Sequence, residues 1–180
     1  MILKETLRSI VKSQKEDLFL ANEGIEREKL KEINTSVPFA IVISGIRRCG
    51  KSTLLRQIMK KAKSFYYFNF EDSRALNFEL EDFDRLNEIF NEEYGKSDYY
   101  FLDEIQNVQR WELFVRAMLD KGKHFIITGS NASLLSRELG TRLTGRHLRY
   151  ELFPFSYNEF LKLTGKKVGI ESFNEYFVKG

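Results

Sequence analysis

Cysteine, histidine and proline are scarce in this chain of 180 residues, with one Cys, two His and two Pro. A lone thiol, Cys49, cannot close an internal disulfide, which excludes the disulfide-stapled secreted class and points to a reducing compartment. His124 and His147 lack the spacing of metal ligands, so a resident metal centre is not expected. No apolar run approaches the length needed to span a bilayer, so no membrane segment is expected. The opening "MILKETLRSIVKSQ" is charged throughout and lacks the apolar core of a signal peptide. A cytoplasmic location is the expectation. Repeats, low-complexity linkers, zinc modules and helix-turn-helix patterns are also missing. A net charge of +3 is too small to argue for a polyanionic partner. Its distribution is uneven: positions 71–98 carry ten acids against three bases, and 121–149 carry six bases against one acid. The basic stretch suits a solvated surface, or a face turned to phosphates or a neighbouring subunit.

What is present is core material, with 42% hydrophobic residues, including sixteen Phe and eight Tyr. The length suits one well-cored domain. Ile2, Leu3, Leu7, Ile10 and Val11 fall at helical spacing and open an amphipathic helix. With the charged connector "ANEGIEREKLKEINTS" they form an N-terminal helical segment, 1–37, ahead of a core over 38–180. "FAIVIS" (39–44) is a continuous apolar run of the buried-strand kind, and "STLLRQIMKKAK" (52–63) is helical. "SFYYFNFE", "YYFLDE", "HFIITGS" and "RHLRYELF" read as further strands. Helices are expected around 83–90, over "WELFVRAMLDK", and from Ser156, which stands at capping-box spacing from Glu159. Strands alternating with helices predict a three-layer α/β fold with a mainly parallel central sheet. In such sheets ligands bind at the carboxyl ends of the strands.

Three polar clusters stand at those ends. "SGIRRCGKSTLL" fits G-x-x-x-x-G-K-[ST] without a mismatch, between a strand and a helix as that pattern requires. Its glycines let successive N–H groups turn toward phosphates, and the following helix adds its positive end. Gly45, Ile46, Arg47, Arg48, Cys49, Gly50, Lys51, Ser52 and Thr53 are therefore the expected nucleotide-binding residues. Lys51 would reach the β- and γ-phosphates, and the Ser52 hydroxyl would bind Mg²⁺. Loop interiors bind mostly through backbone, so Arg47 and Arg48 need not touch phosphate by side chain, and Cys49 suits packing. In "YYFLDEIQ", Asp103 could hold the Mg²⁺ shell and Glu104 could act as general base on a water. Ser130 and Asn131 end the next strand, suited to sensing the γ-phosphate or orienting the water. The whole polar stretch Thr128–Asn131 suits equally a plain loop with a helix cap before "ASLLSREL". Trp111 suits the core.

"SGIRRCGKSTLL", "FLDEIQNVQRWE", "IITGSNASLLSRELG", "LTGR" and "LFPFSYNEFL", in that order, resemble AAA+-like P-loop ATPases of archaea and bacteria. The resemblance runs from about Phe39 to the last residue. It implies ATP as the nucleotide, and an acidic strand separated from the phosphate-binding strand by one other strand. It also implies the same roles for Gly45, Gly50, Lys51, Ser52, Asp103 and Glu104. Members continue into a C-terminal domain of unknown function, so the chain is expected to stop short of one. A DNA or protein partner would act through that part. Arg142 and Arg146, in "GTRLTGR", are candidates for charge stabilisation, with Arg146 reaching a neighbour's site in a homo-oligomer.

The leading reading is Mg²⁺-dependent ATP hydrolysis coupled to a conformational change. A small-molecule kinase is a rival, although kinases usually carry the phosphate loop nearer the start of the chain. A nucleotide-dependent switch or DNA-associated binding module with little turnover is the other.

Overall fold

A continuous apolar run forms a strand buried on both faces when each face receives its own helical layer, and the central strand shows this directly. The computed structural model describes residues 1–22, 24–130 and 143–179. All six residues of β1 (Ala40–Gly45) are buried. Ala40 and Val42 join one core cluster, while Ile41 and Ile43 join a second on the opposite face. The same alternation divides Tyr100 and Leu102 from Phe101 in β3 (Tyr99–Asp103), and Phe125 and Ile127 from Ile126 in β4 (His124–Ser130).

With β2 (Tyr66–Asn69) and β5 (His147–Leu152), these strands make a five-stranded, fully parallel sheet in the order β2-β3-β4-β1-β5. β4 therefore lies between the acidic strand β3 and the loop-bearing strand β1, the order expected from the sequence.

One face is covered by α1 (Lys4–Leu20), α3 (Asp82–Tyr94) and α4 (Trp111–Asp120). Leu7, Ile10 and Val11 of α1 are buried in the same cluster as Phe83, Leu86, Ile89 and Phe90 of α3. Burial of each such side chain contributes roughly 1.5–3 kcal/mol. The opposite face is covered by α2 (Lys51–Met59), which presents Leu54, Leu55, Ile58 and Met59. α2 ends at Met59 rather than running on to Lys63: the next amides bond three residues back, Lys61 to Ile58 and Ala62 to Met59, which closes the last turn.

Two features go beyond the sequence expectation. The connector after α1 is a packed strap, with Arg27, Leu30 and Ile33 buried. Beyond β5, α5 (Tyr157–Thr164) is followed by another helix, α6 (Ile170–Lys179), held through Tyr157, Phe160, Phe173 and Tyr176 ring contacts. The capping box at Ser156 and Glu159 is present as read from the sequence. Among the described residues, no helix is long and apolar enough to cross a membrane.

Candidate nucleotide site at the carboxyl edge of the sheet

β1 delivers its last residue, Gly45, to the carboxyl edge, and the chain turns through Ile46–Gly50 into α2. Neither glycine of the pattern has room for a side chain. A Cβ on Gly45 would lie 2.4 Å from the Leu152 carbonyl oxygen and 2.6 Å from Cys49 Sγ. Gly50 has φ +94°, and a Cβ there would lie 2.7 Å from Arg27 Nη1. Arg48 also takes a left-handed conformation, φ 66°, a strained choice for a residue with a side chain. No side chain caps the start of α2, so its first-turn N–H groups face the cleft with the helix dipole behind them.

That cleft encloses about 740 Å³, within the usual size of a small-ligand site. It is lined by Arg47, Arg48, Gly50, Lys51, Ser52, Thr53, Glu71, Glu104, Gln106, Asn107 and Ser130. The buried Lys51 ammonium donates to the carbonyls of Gly45 and Ile46, both at 3.3 Å, and stands 3.4 Å from Glu104 Oε1. Gln106 Nε2 donates to the other Glu104 oxygen at 2.7 Å. Glu104 itself sits at φ 53°, ψ 46°, which turns its side chain out of the strand register toward the loop. Arg47 reaches Glu71 at 2.7 Å, and both side chains are exposed.

Asp103 is 1% exposed. Burial pushes its carboxyl above the ordinary range, opposed by hydrogen bonds from the Thr128 and Ser52 hydroxyls. The Tyr67 hydroxyl is a third partner. Thr128 Oγ1 donates to Asp103 and accepts the N–H of Glu104 at 3.0 Å, so β4 fixes both acids at once. A hydroxyl and a buried carboxylate in direct contact form the hard oxygen pair that Mg²⁺ takes beside phosphate oxygens. The donor set fits that ion. Among the described residues, no cluster of three or more His, Cys, Asp or Glu side chains stands ready for a metal.

The expected residues from Gly45 to Thr53, with Asp103, Glu104 and Ser130, thus meet at one edge. Burial pushes the Cys49 thiol up, in keeping with packing rather than chemistry. Asn131 and Arg142 lie outside the described residues. Arg146 lies at the opposite edge: its carbonyl accepts the N–H of Ala40 at the start of β1, and its guanidinium pairs with Asp120 at the end of α4. The length of β1, roughly 15–20 Å at about 3.3 Å per residue, separates it from its own chain's loop.

Sequence reasoning missed the underside of the loop. Arg27, from the strap, lies beneath it and bonds to the Cys49 carbonyl at 2.6 Å, the Phe153 carbonyl at 2.8 Å and Glu159 Oε1 at 2.9 Å. Positions 27 and 159 stand 132 apart, and one arginine among the charges of the connector carries no local signal. Thr128 was legible only as part of the polar end of its strand, with no sign that it would hold Asp103, and Tyr67 was hidden inside a strand pattern that read only as core.

A family model described as an AAA domain matches residues 38–161. An uncharacterized protein of Methanocaldococcus jannaschii is 39% identical over 155 residues, covering 82% of this chain and 35% of the relative. An uncharacterized protein of Haemophilus influenzae is 37% identical over 137 residues, covering 68% and 33%. The chain therefore spans about a third of the length of these relatives. AMPPCP-bound DnaA from Aquifex aeolicus aligns with a TM-score of 0.52 at 19% identity, covering 85% of this chain and 54% of that one. Cdc6p from Pyrobaculum aerophilum aligns with a TM-score of 0.52 at 16% identity, covering 83% and 52%. At such identities these two establish the fold alone. Together, the matched model, the relatives and the strand order place the chain in the AAA domain family, as a P-loop AAA+-like ATPase domain.

Proposed function

We propose that this domain binds ATP at the carboxyl edge of its sheet and hydrolyses it with Mg²⁺, driving a conformational change in a larger protein. The observation that carries the reading is the meeting of Lys51 and Glu104, 3.4 Å apart, over the uncapped start of α2. The loop N–H groups would cradle the phosphates, and Lys51 would exchange its loop carbonyls and Glu104 for γ-phosphate oxygens. Glu104, relieved of the lysine and steadied by Gln106, would accept a proton from water as the water oxygen bonds to the γ-phosphorus. The bond to the bridging oxygen breaks, ADP leaves, and the proton passes from Glu104 to solvent. Ser52 and Asp103 would hold Mg²⁺, which would supply charge neutralisation to the phosphates. The AMPPCP carried by the DnaA structure is in keeping with an adenine nucleotide. The lone thiol is in keeping with a reducing compartment.

Lys51→Ala should abolish measurable binding of labelled ATP, because the γ-phosphate loses its nearest fixed cation. Wild-type affinity in that variant would remove the loop from the account.

A nucleotide switch with little turnover is the second reading, and the position of Arg146 favours it for the isolated domain. Among the described residues, the arginines lining the cleft are Arg47 and Arg48, both within the loop. If a neighbouring copy supplies Arg146, specific activity should climb with protein concentration, by ~10³-fold or more at full assembly. Activity independent of concentration, and unchanged in Arg146→Ala, would leave Arg146 as a surface charge. A DNA or protein partner would act through the remaining two thirds of a relative-sized protein.

A further inference from the structure

The underside of the phosphate loop is occupied by a buried cation. Arg27 is 2% exposed and uses all three guanidinium nitrogens: Nε on Glu159, Nη1 on the Cys49 carbonyl, and Nη2 on the Phe153 carbonyl. Its Cζ lies over the Phe155 ring, 4.9 Å from the centroid. The strap that carries it is pinned to α2 by Gln57, which accepts the Arg27 N–H at 3.0 Å and donates to the Ile25 carbonyl at 2.7 Å. Glu159 in turn accepts the N–H groups of Glu28 at 2.7 Å and Ser156 at 2.9 Å.

Most of this network would serve packing alone, but the bond to Cys49 does more. In a trans peptide the carbonyl and the next N–H point to opposite sides. With the Cys49 oxygen fixed on Arg27 below, the Gly50 N–H is turned the other way, toward the cleft that Gly50, Lys51 and Ser52 line. Gly50 presses the same point, since any Cβ there would collide with Arg27 Nη1.

We propose that Arg27 is a positioning residue for triphosphate binding, fixing the Cys49–Gly50 peptide and tying it through Glu159 to the start of α5. The inference rests on the ATP reading above and deepens it. Loop and α5 share one buried strut, so a ligand that orders the loop orders α5, and reciprocally a shift of α5 alters affinity. Lysine at position 27 can keep the charge opposite Glu159, but a single ammonium lacks the guanidinium's fork and loses the carbonyl contacts.

The test measures labelled-ATP affinity for wild type, Arg27→Lys, Arg27→Met and Ile10→Ala, with thermal midpoints alongside. Ile10 is buried among α1 and α3 on the far side of the sheet, and its truncation reports general destabilisation. Arg27→Lys should bind ATP about tenfold more weakly and Arg27→Met weaker still, whereas Ile10→Ala stays within about twofold. Hydrogen exchange on the wild type needs no variant: ATP should slow amides in Tyr157–Thr164 as well as in the loop. Wild-type affinity in Arg27→Lys, an equal loss in Ile10→Ala, or protection confined to the loop would overturn the proposal. A wild type that binds no ATP would sink the functional reading and this inference together. ATP-binding wild type with unaffected Arg27 variants would sink this inference alone.

Discussion

Two buried carboxylates flank the phosphate loop, Asp103 in front of it and Glu159 behind, and their surroundings differ in kind. Asp103 is met by hydroxyls, from Thr128, Ser52 and Tyr67. Glu159 is met by N–H groups, from Arg27, Glu28 and Ser156. Hydroxyls stabilise an anion weakly and can rotate to serve a neutral group instead, whereas backbone and guanidinium N–H groups only donate. Burial therefore prevails at Asp103, whose carboxyl lies above its ordinary range. At Glu159 burial also pushes upward, but the Arg27 bond and the two backbone N–H groups outweigh it, and the carboxyl lies below. The front acid is costly to the empty fold and suited to meeting a cation. The rear acid is fully compensated and holds the chain together.

One isosteric change made at both sites should split them. Glu159→Gln turns an amide donor toward an N–H and removes the charge opposite Arg27. It should cost about 3 kcal/mol or more, or roughly 6–12 °C in thermal midpoint for a domain of this size. Asp103→Asn should instead stabilise the nucleotide-free protein by about 1 kcal/mol while eliminating hydrolysis, since the hydroxyls can re-pair with an amide. Destabilisation at both positions, read by thermal melts, would erase the distinction.

Acid sharpens the same contrast with a smaller effect. Because the folded Glu159 carboxyl lies below its ordinary 4.5, its stabilisation is complete above about that pH and is lost as pH falls through the folded value. Urea midpoints of the wild type should fall below pH 4.5, and Glu159→Gln should flatten that part of the fall. An unchanged slope in the variant would assign the acid sensitivity to other groups.

The front of the site was legible in the sequence and the rear was not, for a physical reason. The strand–loop–helix of 39–59 and the Asp103–Glu104 pair are local patterns, set by apolar runs that stop at polar residues. The strand order followed from resemblance. Glu159 was legible only as a helix cap, because capping is a three-residue relation. Its ion pair with Arg27 closes across the whole domain, and the connector's many charges mask the one that is buried. Arg146 shows the converse: a motif marked it, yet strand register sets it at the opposite edge, so any action on a phosphate must come from another chain.

In the proposed mechanism Glu104 removes the proton from the attacking water while Lys51, Ser52 and Asp103 hold the nucleotide. Single-turnover hydrolysis of prebound labelled ATP by wild type and Glu104→Gln tests it most directly. ATP affinity should stay within about threefold of wild type while the hydrolysis rate falls ~10²–10⁴-fold. Hydrolysis by Glu104→Gln at the wild-type rate, with ATP still bound, would contradict it.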